Sequence, residues 1–223
     1  MNPLVLAIDT THEYGSAALA RGEEILEEVE LRAPDGFAHV IYEHLARLLE
    51  RHSLTVAAID CFAAASGPGS FTGVRVGLAC LKGLAEALGK PAVAVSNLQA
   101  LARYGHAPLR AVVMGARRGD VYAALYDDAG RLDGSEVVAK LSSWLESLPE
   151  GVEFVSPDFE PLRSALAGTR LAAAPIVTAP RALAGTIARI AAERFLRGEA
   201  TDPAALDANY VRCSDAELFW KDA

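Results

Sequence analysis

The loop from Ser66 to Arg75 has the clearest chemical potential in the sequence, because SGPGSFTGVR joins an apolar run to an apolar helix. Glycines let the backbone approach a ligand closely, and hydroxyls with the first amides of a helix can hold an anion. The candidate anion or nucleotide contacts in this loop are Gly67, Gly69, Ser70, Thr72 and Arg75. The same composition also suits a purely structural turn, since a strand-to-helix connection needs glycine and a capping hydroxyl.

Two common glycine motifs do not fit this loop. A P-loop needs a Lys directly after its last glycine, whereas Val74 follows Gly73. A nucleophile elbow needs a glycine two residues before its serine, and Pro68 stands there relative to Ser70. The loop therefore predicts anion contact or a structural role, but neither of these two chemistries.

The residues after the first apolar run, Asp9, Thr10 and Thr11, form a second candidate site. A carboxylate and two hydroxyls at a strand end can hold a metal-phosphate group. Alternatively, the aspartate accepts hydrogen bonds from its own turn. A Ser-His-Asp hydrolase could be assembled from Ser70, a histidine and Asp9, but no spacing in the sequence supports it.

Metal binding is not expected in this chain. Its closest histidine pair, His39 and His44, is five residues apart, and that spacing points the two rings about 140° apart on a helix. Zinc sites need ligands that converge on one ion. The sequence therefore predicts no metal site.

Composition excludes several classes of protein. The chain has 223 residues, is 52% hydrophobic and 22% charged, and carries a net charge of −8. This length suits one large domain or two small ones, and the negative charge argues against capture of nucleic acid by the chain's own surface. Three cysteines without CxxC spacing predict buried thiols in a reducing cytoplasm. Neither a signal peptide nor a membrane span is predicted.

Apolar runs and turn residues predict an α/β fold with mixed sheets. In the first hundred residues, the predicted order is β-β-β-α-β-α-β, beginning with three antiparallel strands of which the third is an edge strand. The predicted strands are 4–8, 16–20, 25–31, 59–65 and 91–95, and the predicted helices are 38–52 and 73–88. The second half repeats this rhythm with strands at 111–114, 121–126 and 152–155 and helices at 141–148, 160–167 and 182–196.

The helix from Val74 to Leu88 is apolar on nearly all sides, since only Lys82 and Glu86 are charged after Arg75. Such a helix is either buried within its domain or covered by another chain. Because the sheet of a small domain covers only one side, we favour a protein partner. The candidate interface positions on this helix and the preceding one are His39, Ile41, Leu45, Leu48, Val76, Leu78, Leu81 and Leu84.

Several motifs together resemble the bacterial TsaB family, and their order and spacing agree along most of the chain. They are Ile8-Asp9-Thr10-Thr11, His39, the segment Ser66 to Leu78, Lys82-Gly83-Leu84-Ala85 and Ala116 to Tyr122. The resemblance implies an actin-like ATPase fold of the ASKHA, RNase H-like type with two related βββαβα subdomains. These would be residues 1–100, carrying the partner-binding helices, and residues 101–223.

The resemblance also implies a function. Members of this family are non-catalytic scaffold subunits of the complex that makes N6-threonylcarbamoyladenosine at position 37 of tRNAs reading ANN codons. The expected partners are TsaD in a heterodimer and TsaE in the larger complex, with self-association through the same surface when the chain is alone. The subunit would be cytoplasmic, would meet tRNA only through the complex, and would leave ATP and the divalent metal to its partners.

Two departures from the expected patterns bear on nucleotide binding. Gly115 stands where the family often has an acidic residue, ahead of Arg117 and Arg118. Actin-like kinases have glycine in their first phosphate loop, whereas Asp9 is followed by two threonines. Strong ATP binding by this subunit alone is not expected. The competing hypotheses are a stand-alone kinase or hydrolase of actin-like fold and a glycoprotease-like peptidase.

Overall fold

The computed structural model describes residues 2–116 and 119–211, apart from the side chain of Phe159. These residues form two compact units. The first unit consists of residues 2–97 and 182–209, and the second consists of residues 98–181 with 210 and 211. Each unit contains one five-stranded mixed sheet.

The first unit begins with three strands and continues with alternating helices and strands. The elements are β1 (Leu4–Asp9), β2 (Tyr14–Arg21), β3 (Glu24–Arg32), α1 (Ile41–Arg51), β4 (Cys61–Gly67), α2 (Phe71–Leu88) and β5 (Ala92–Ser96), with short 3-10 turns at Phe37–His39 and Val56–Ala58. The strand order is β3-β2-β1-β4-β5. β1, β2 and β3 are antiparallel, while β4 and β5 run parallel to β1, so the predicted antiparallel start and edge strand are confirmed.

The core of the first unit lies between its sheet and the helices α1 and α2. Successive side chains of a strand point to opposite faces of a sheet. On β1, Leu6 and Ile8 join the cluster formed with the two helices. α1 is amphipathic, since Leu45 and Leu48 are buried in this cluster while Arg47 is exposed.

The second unit repeats the same arrangement. After α3 (Asn97–Ala102) come β6 (Leu109–Gly115), β7 (Asp120–Asp127), β8 (Leu132–Lys140), α4 (Leu141–Ser147), β9 (Glu153–Ser156), α5 (Phe159–Leu166) and β10 (Ile176–Thr178). The strand order β10-β9-β6-β7-β8 places each strand where its counterpart lies in the first sheet. The core packs α4 and α5 on one face of this sheet around Phe154, Leu145 and Leu162. Two related βββαβα subdomains are thereby confirmed.

The chain then returns to the first unit, which differs from the predicted division at residue 100. Helix α6 (Ala184–Leu196) packs across the first sheet and is buried along most of its length. Beyond it lie residues 201–209, called here the C-terminal strap. The backbone of Thr201 pairs with that of Ala92, and Leu206 lies in the core beside α2. Residues 182–209 lie with the first unit because its sheet needs cover on both faces.

Two cysteine thiols are buried as predicted, and Cys213 lies outside the described residues. Loss of contact with water disfavours the thiolate, which raises the pKa of Cys61 to about 12 and that of Cys80 to about 11. These thiols are therefore chemically inert at neutral pH. Within the part of the chain that the structure describes, no helix is both long and apolar enough to cross a membrane.

Candidate functional site

The two predicted site segments meet at the carboxyl ends of β1 and β4, which are parallel neighbours in the first sheet. The amide of Ser70 donates to the carbonyl oxygen of Thr11 at 2.7 Å. The hydroxyl of Thr10 donates to the carbonyl oxygen of Gly73 at 2.7 Å. We call this contact between Thr10, Thr11 and residues 69–73 the loop junction. It is the edge at which open α/β sheets bind ligands.

Asp9 is buried beside the junction and hydrogen-bonded within the chain. Its Oδ1 accepts from the amide of Thr11 at 2.8 Å and from the Thr11 hydroxyl at 2.6 Å. Its Oδ2 accepts from Nδ2 of Asn97 at 2.9 Å. These three bonds hold the turn after β1, which is the structural role that the sequence left open for this carboxylate.

Glycines make the close contact at the junction possible. A Cβ atom at Gly69 would lie 2.6 Å from the carbonyl oxygen of Thr11, and one at Gly73 would overlap the carbonyl oxygen of Thr10. One turn further along α2, a Cβ at Gly77 would lie 2.6 Å from the Thr10 hydroxyl oxygen. The glycines therefore let the first turns of α2 lie directly on the backbone of the β1 turn.

Several of the predicted anion-binding groups already have partners in the chain. The Ser70 side chain caps α2 by accepting from the amide of Gly73 at 3.3 Å. The Arg75 guanidinium lies 3.5 Å from the centroid of the Phe71 ring, a cation-π contact at the surface. Thr72 is exposed in the first turn of the helix. Ligand binding by this loop stays a prediction.

Most of the predicted interface side chains lie inside the chain's own core. Five of the eight are buried against the first sheet: Ile41, Leu45, Leu48, Leu78 and Leu81. The C-terminal strap covers part of α2 that the sequence assigned to a partner, and Lys82 Nζ donates to the carbonyl oxygen of Leu206 at 2.7 Å. The remaining three, His39, Val76 and Leu84, are partly or fully exposed.

The exposed residues of α1 and α2 are together called here the α1–α2 face. It contains Tyr42, which is 56% exposed, Phe71, which is 41% exposed, and the small residues Ala79 and Gly83. Beneath this face, α1 and α2 pack into one core cluster, through Leu45 and Leu48 on α1 and Leu78 and Leu81 on α2. Exposed aromatic residues are enriched at protein interfaces.

In the second unit, the Asp158 carboxyl group lies close to Gly115, the position where the family often has an acidic residue. A Cβ at Gly115 would lie 3.7 Å from Oδ2 of Asp158, which follows β9 and pairs with Arg181 at 3.1 Å. Arg117 and Arg118 lie outside the described residues. Among the residues that the structure describes, no three His, Cys, Asp or Glu side chains are grouped so that they could hold a metal ion.

Sequence reasoning missed Asn97, His12 and Leu206. Asn97 is fully buried and bonds to Asp9 from 88 positions away in the chain. Its place at the end of β5 was the available signal, because the carboxyl ends of parallel strands share one edge of a sheet. Leu206 gave no signal, since it stands outside any periodic apolar pattern.

The chain matches the family model described as TsaD, tRNA N6-adenosine threonylcarbamoyltransferase, over residues 32–197. It is 33% identical over 151 residues to the tRNA threonylcarbamoyladenosine biosynthesis protein TsaB of Bacillus subtilis, covering 66% of each chain. The chain thus spans just under two thirds of the length of this curated relative.

Two solved structures show the same fold. An uncharacterised Pseudomonas aeruginosa protein with similarity to peptidase YeaZ superposes with a TM-score of 0.73 at 27% identity, covering 94% of this chain and all of that one. Component A of the Acidaminococcus fermentans (R)-2-hydroxyglutaryl-CoA dehydratase superposes with a TM-score of 0.55 at 10% identity, covering 85% of this chain and 98% of that one. The second likeness concerns the fold alone, which is of the actin-like ATPase type.

Proposed function

The chain belongs to the TsaB family, and from this premise we propose that it is the non-catalytic subunit that binds TsaD. In this role it supports the formation of N6-threonylcarbamoyladenosine at position 37 of tRNAs that read ANN codons. It acts in the cytoplasm, TsaE joins the larger complex, and tRNA is met only through that complex. The observation that carries the proposal is the 33% identity over 151 residues to the TsaB protein of Bacillus subtilis.

The loop junction lies at the sheet edge where a nucleotide-using relative would hold phosphate. Its hydrogen bonds support a structural role here instead. Asp9 accepts three hydrogen bonds from Thr11 and Asn97. The amides of Ser70 and Gly73 donate to Thr11 and to the capping hydroxyl. An incoming phosphate would have to displace these bonds, and each broken bond to a charged group costs about 1.5–3 kcal/mol. We therefore assign the junction to holding α2 in place.

The α1–α2 face is the surface that we assign to TsaD, and to a second copy of the chain when TsaD is absent. Tyr42 and Phe71 offer large apolar area, and Ala79 with Gly83 lets a partner helix approach closely. The buried leucines beneath the face fix the two helices on the sheet. The interface therefore depends on these leucines for its shape and on the exposed strip for its contacts.

Reconstitution tests the proposal. Purified TsaC, TsaD and TsaE are incubated with an unmodified ANN-reading tRNA, threonine, bicarbonate and ATP, with this chain present or omitted. Mass spectrometry of digested tRNA then measures the modified adenosine. We expect formation at least tenfold faster with the chain present. An equal yield without it would remove the assigned function.

The competing hypothesis of a stand-alone nucleotide enzyme has a separate test. Calorimetry of the purified chain with Mg-ATP should give no binding in the micromolar range and no phosphate release. Micromolar affinity with turnover would instead assign nucleotide chemistry to this chain.

A further inference from the structure

Two buried polar atoms among the described residues have no hydrogen-bond partner, and both belong to the cluster around Asp9. They are Oδ1 of Asn97 and Nε2 of His12. Asn97 is fully buried, and its amide orientation is fixed because Nδ2 donates to Asp9 Oδ2 and to Thr11 Oγ1, each at 2.9 Å. A buried polar atom left unpaired costs about 1–3 kcal/mol, so each such atom needs a physical explanation.

The hydrogen-bond pattern decides which kind of group His12 offers. The Thr11 hydroxyl has one proton, and it is donated to Oδ1 of Asp9 at 2.6 Å. His12 Nδ1 lies 2.8 Å from the same hydroxyl oxygen and must therefore be the donor. In a neutral imidazole with its proton on Nδ1, Nε2 is an acceptor. Both unpaired atoms are thus hydrogen-bond acceptors, on Asn97 and on His12.

We propose that Asn97 Oδ1 and His12 Nε2 each accept from a small hydrogen-bond donor bound at the buried cluster around Asp9, namely water or an ammonium-type monovalent cation. The Asp9 carboxyl group lies next to both side chains, because Asn97 Nδ2 donates to it directly and His12 reaches it through the Thr11 hydroxyl. A phosphate is excluded because it would bring further acceptors and negative charge to atoms that need donors. This site goes beyond the TsaD-binding role, and its occupant stabilises the turn that supports α2.

Crystallography of the full chain tests the site directly. Crystals are grown in ammonium chloride and in rubidium chloride, and density is examined at high resolution around Asn97 Oδ1 and His12 Nε2. We expect a peak within hydrogen-bond distance of at least one of these atoms. An anomalous rubidium peak there identifies a cation, and a peak without anomalous signal in both crystals identifies water. Absence of any peak, or a phosphate or sulfate at these atoms, would overturn the proposal.

A solution measurement checks the same site without crystals. Nitrogen NMR shifts of the His12 ring should show a proton on Nδ1 and a hydrogen-bonded lone pair on Nε2 at neutral pH. The variant His12→Ala leaves the bonds among Asp9, Thr11 and Asn97 in place, and the density peak on its side of the cluster should disappear. The control His44→Ala, on α1, should leave the peak unchanged. A ring that carries its proton on Nε2 would contradict the assignment.

Discussion

Helices α2 and α5 follow the fourth strands of two sheets with the same topology, yet they are built differently. α2 has 18 residues, begins at a serine whose side chain caps it and ends at Gly89 in the left-handed conformation. α5 has 8 residues, and the side chain of Asp158 at its start makes no capping bond. α2 also lies on the backbone of the neighbouring turn, which its glycines permit.

The glycine-rich segment that carries the family resemblance is the part of the sequence that makes these two connections different. The same strand-helix connection needs neither close approach nor a capping side chain in the second unit. The glycine-rich segment is therefore specific to holding a long helix at a fixed position on the first sheet. We infer that this helix is the part of the fold whose placement matters for partner binding.

The largest expected effect comes from closing the space that α2 needs at the junction. Gly73→Ala would place a methyl group on the carbonyl oxygen of Thr10, where backbone atoms cannot yield. We expect a loss of about 3 kcal/mol or more in the free energy of unfolding, measured by urea denaturation.

The matched control is in the same helix. A Cβ at Gly83 meets no atom within 4 Å, so Gly83→Ala should raise the free energy of unfolding by about 0.5–1 kcal/mol through helix propensity. Equal stabilities of the two variants would contradict the close backbone contact at Gly73 that distinguishes α2 from α5.

The C-terminal strap gives the next effect. Leu206 is 7% exposed and packs in the core with α2, so Leu206→Ala should lower the free energy of unfolding by about 2–3 kcal/mol. Leu196→Ala changes the same residue type at a position that is 59% exposed, and should cost less than about 0.5 kcal/mol. A cost for Leu206→Ala as small as that control would mean that the strap does not hold α2.

The helix starts of the two units can be compared directly. Ser70→Ala removes the side chain that accepts from the amide of Gly73 and should cost about 1 kcal/mol. Asp158→Ala removes a side chain that makes no capping bond and whose ion pair with Arg181 is exposed, so it should cost less than about 0.5 kcal/mol. Thermal unfolding of both variants measures the difference, and a larger cost at Asp158 would reverse it.

The smallest expected effect is a change of the free energy of unfolding with pH, which is due to Glu28 on the first sheet. Burial raises the pKa of Glu28, although its carboxylate accepts from the amide of Gly185 at the start of α6. The folded protein then binds this proton more tightly than the unfolded chain does. Its free energy of unfolding therefore falls as pH rises from the ordinary glutamate value of about 4.5 through the raised pKa. Glu28→Gln should remove that fall.

The neighbouring glutamate should behave in the opposite way. A hydrogen bond from Arg51 lowers the pKa of Glu27, with a further contribution from His52. This stabilisation is present above the ordinary glutamate value and is lost as pH falls through the lowered pKa. Urea denaturation of Glu27→Gln and Glu28→Gln across this pH range should give differences from the parent chain with opposite slopes. Equal slopes would contradict the assignment of Glu28 as the buried group.

Much of the fold could be predicted because its central strands are continuous apolar runs. The missed elements have weak local patterns. β8 contains Asp133, Gly134 and Ser135 and is largely exposed at the sheet edge, so its residues look like a turn. α3 and β10 are too short, at 6 and 3 residues, to show a period.

The site was harder to predict because its contacts are distant in sequence. The apolar helix α2 suggested a missing partner, but Leu206 and the sheet cover much of it. No local sequence pattern indicates that residues 201–209 return to this helix. Likewise, the Asp9 turn offered two roles, and the bond from Asn97 that completes the structural one depends on how β5 is placed in the sheet.

Affinity for TsaD tests the central claim most directly. Ala79 is exposed near the middle of helix α2 and belongs to the α1–α2 face, so Ala79→Glu should leave the fold intact and bury a charge in the interface. Calorimetry or surface binding should show a Kd for TsaD at least tenfold weaker, which is about 1.4 kcal/mol. The control Ala173→Glu, exposed in the second unit, should bind within about twofold of the parent chain. Unchanged affinity for TsaD in Ala79→Glu would contradict the account.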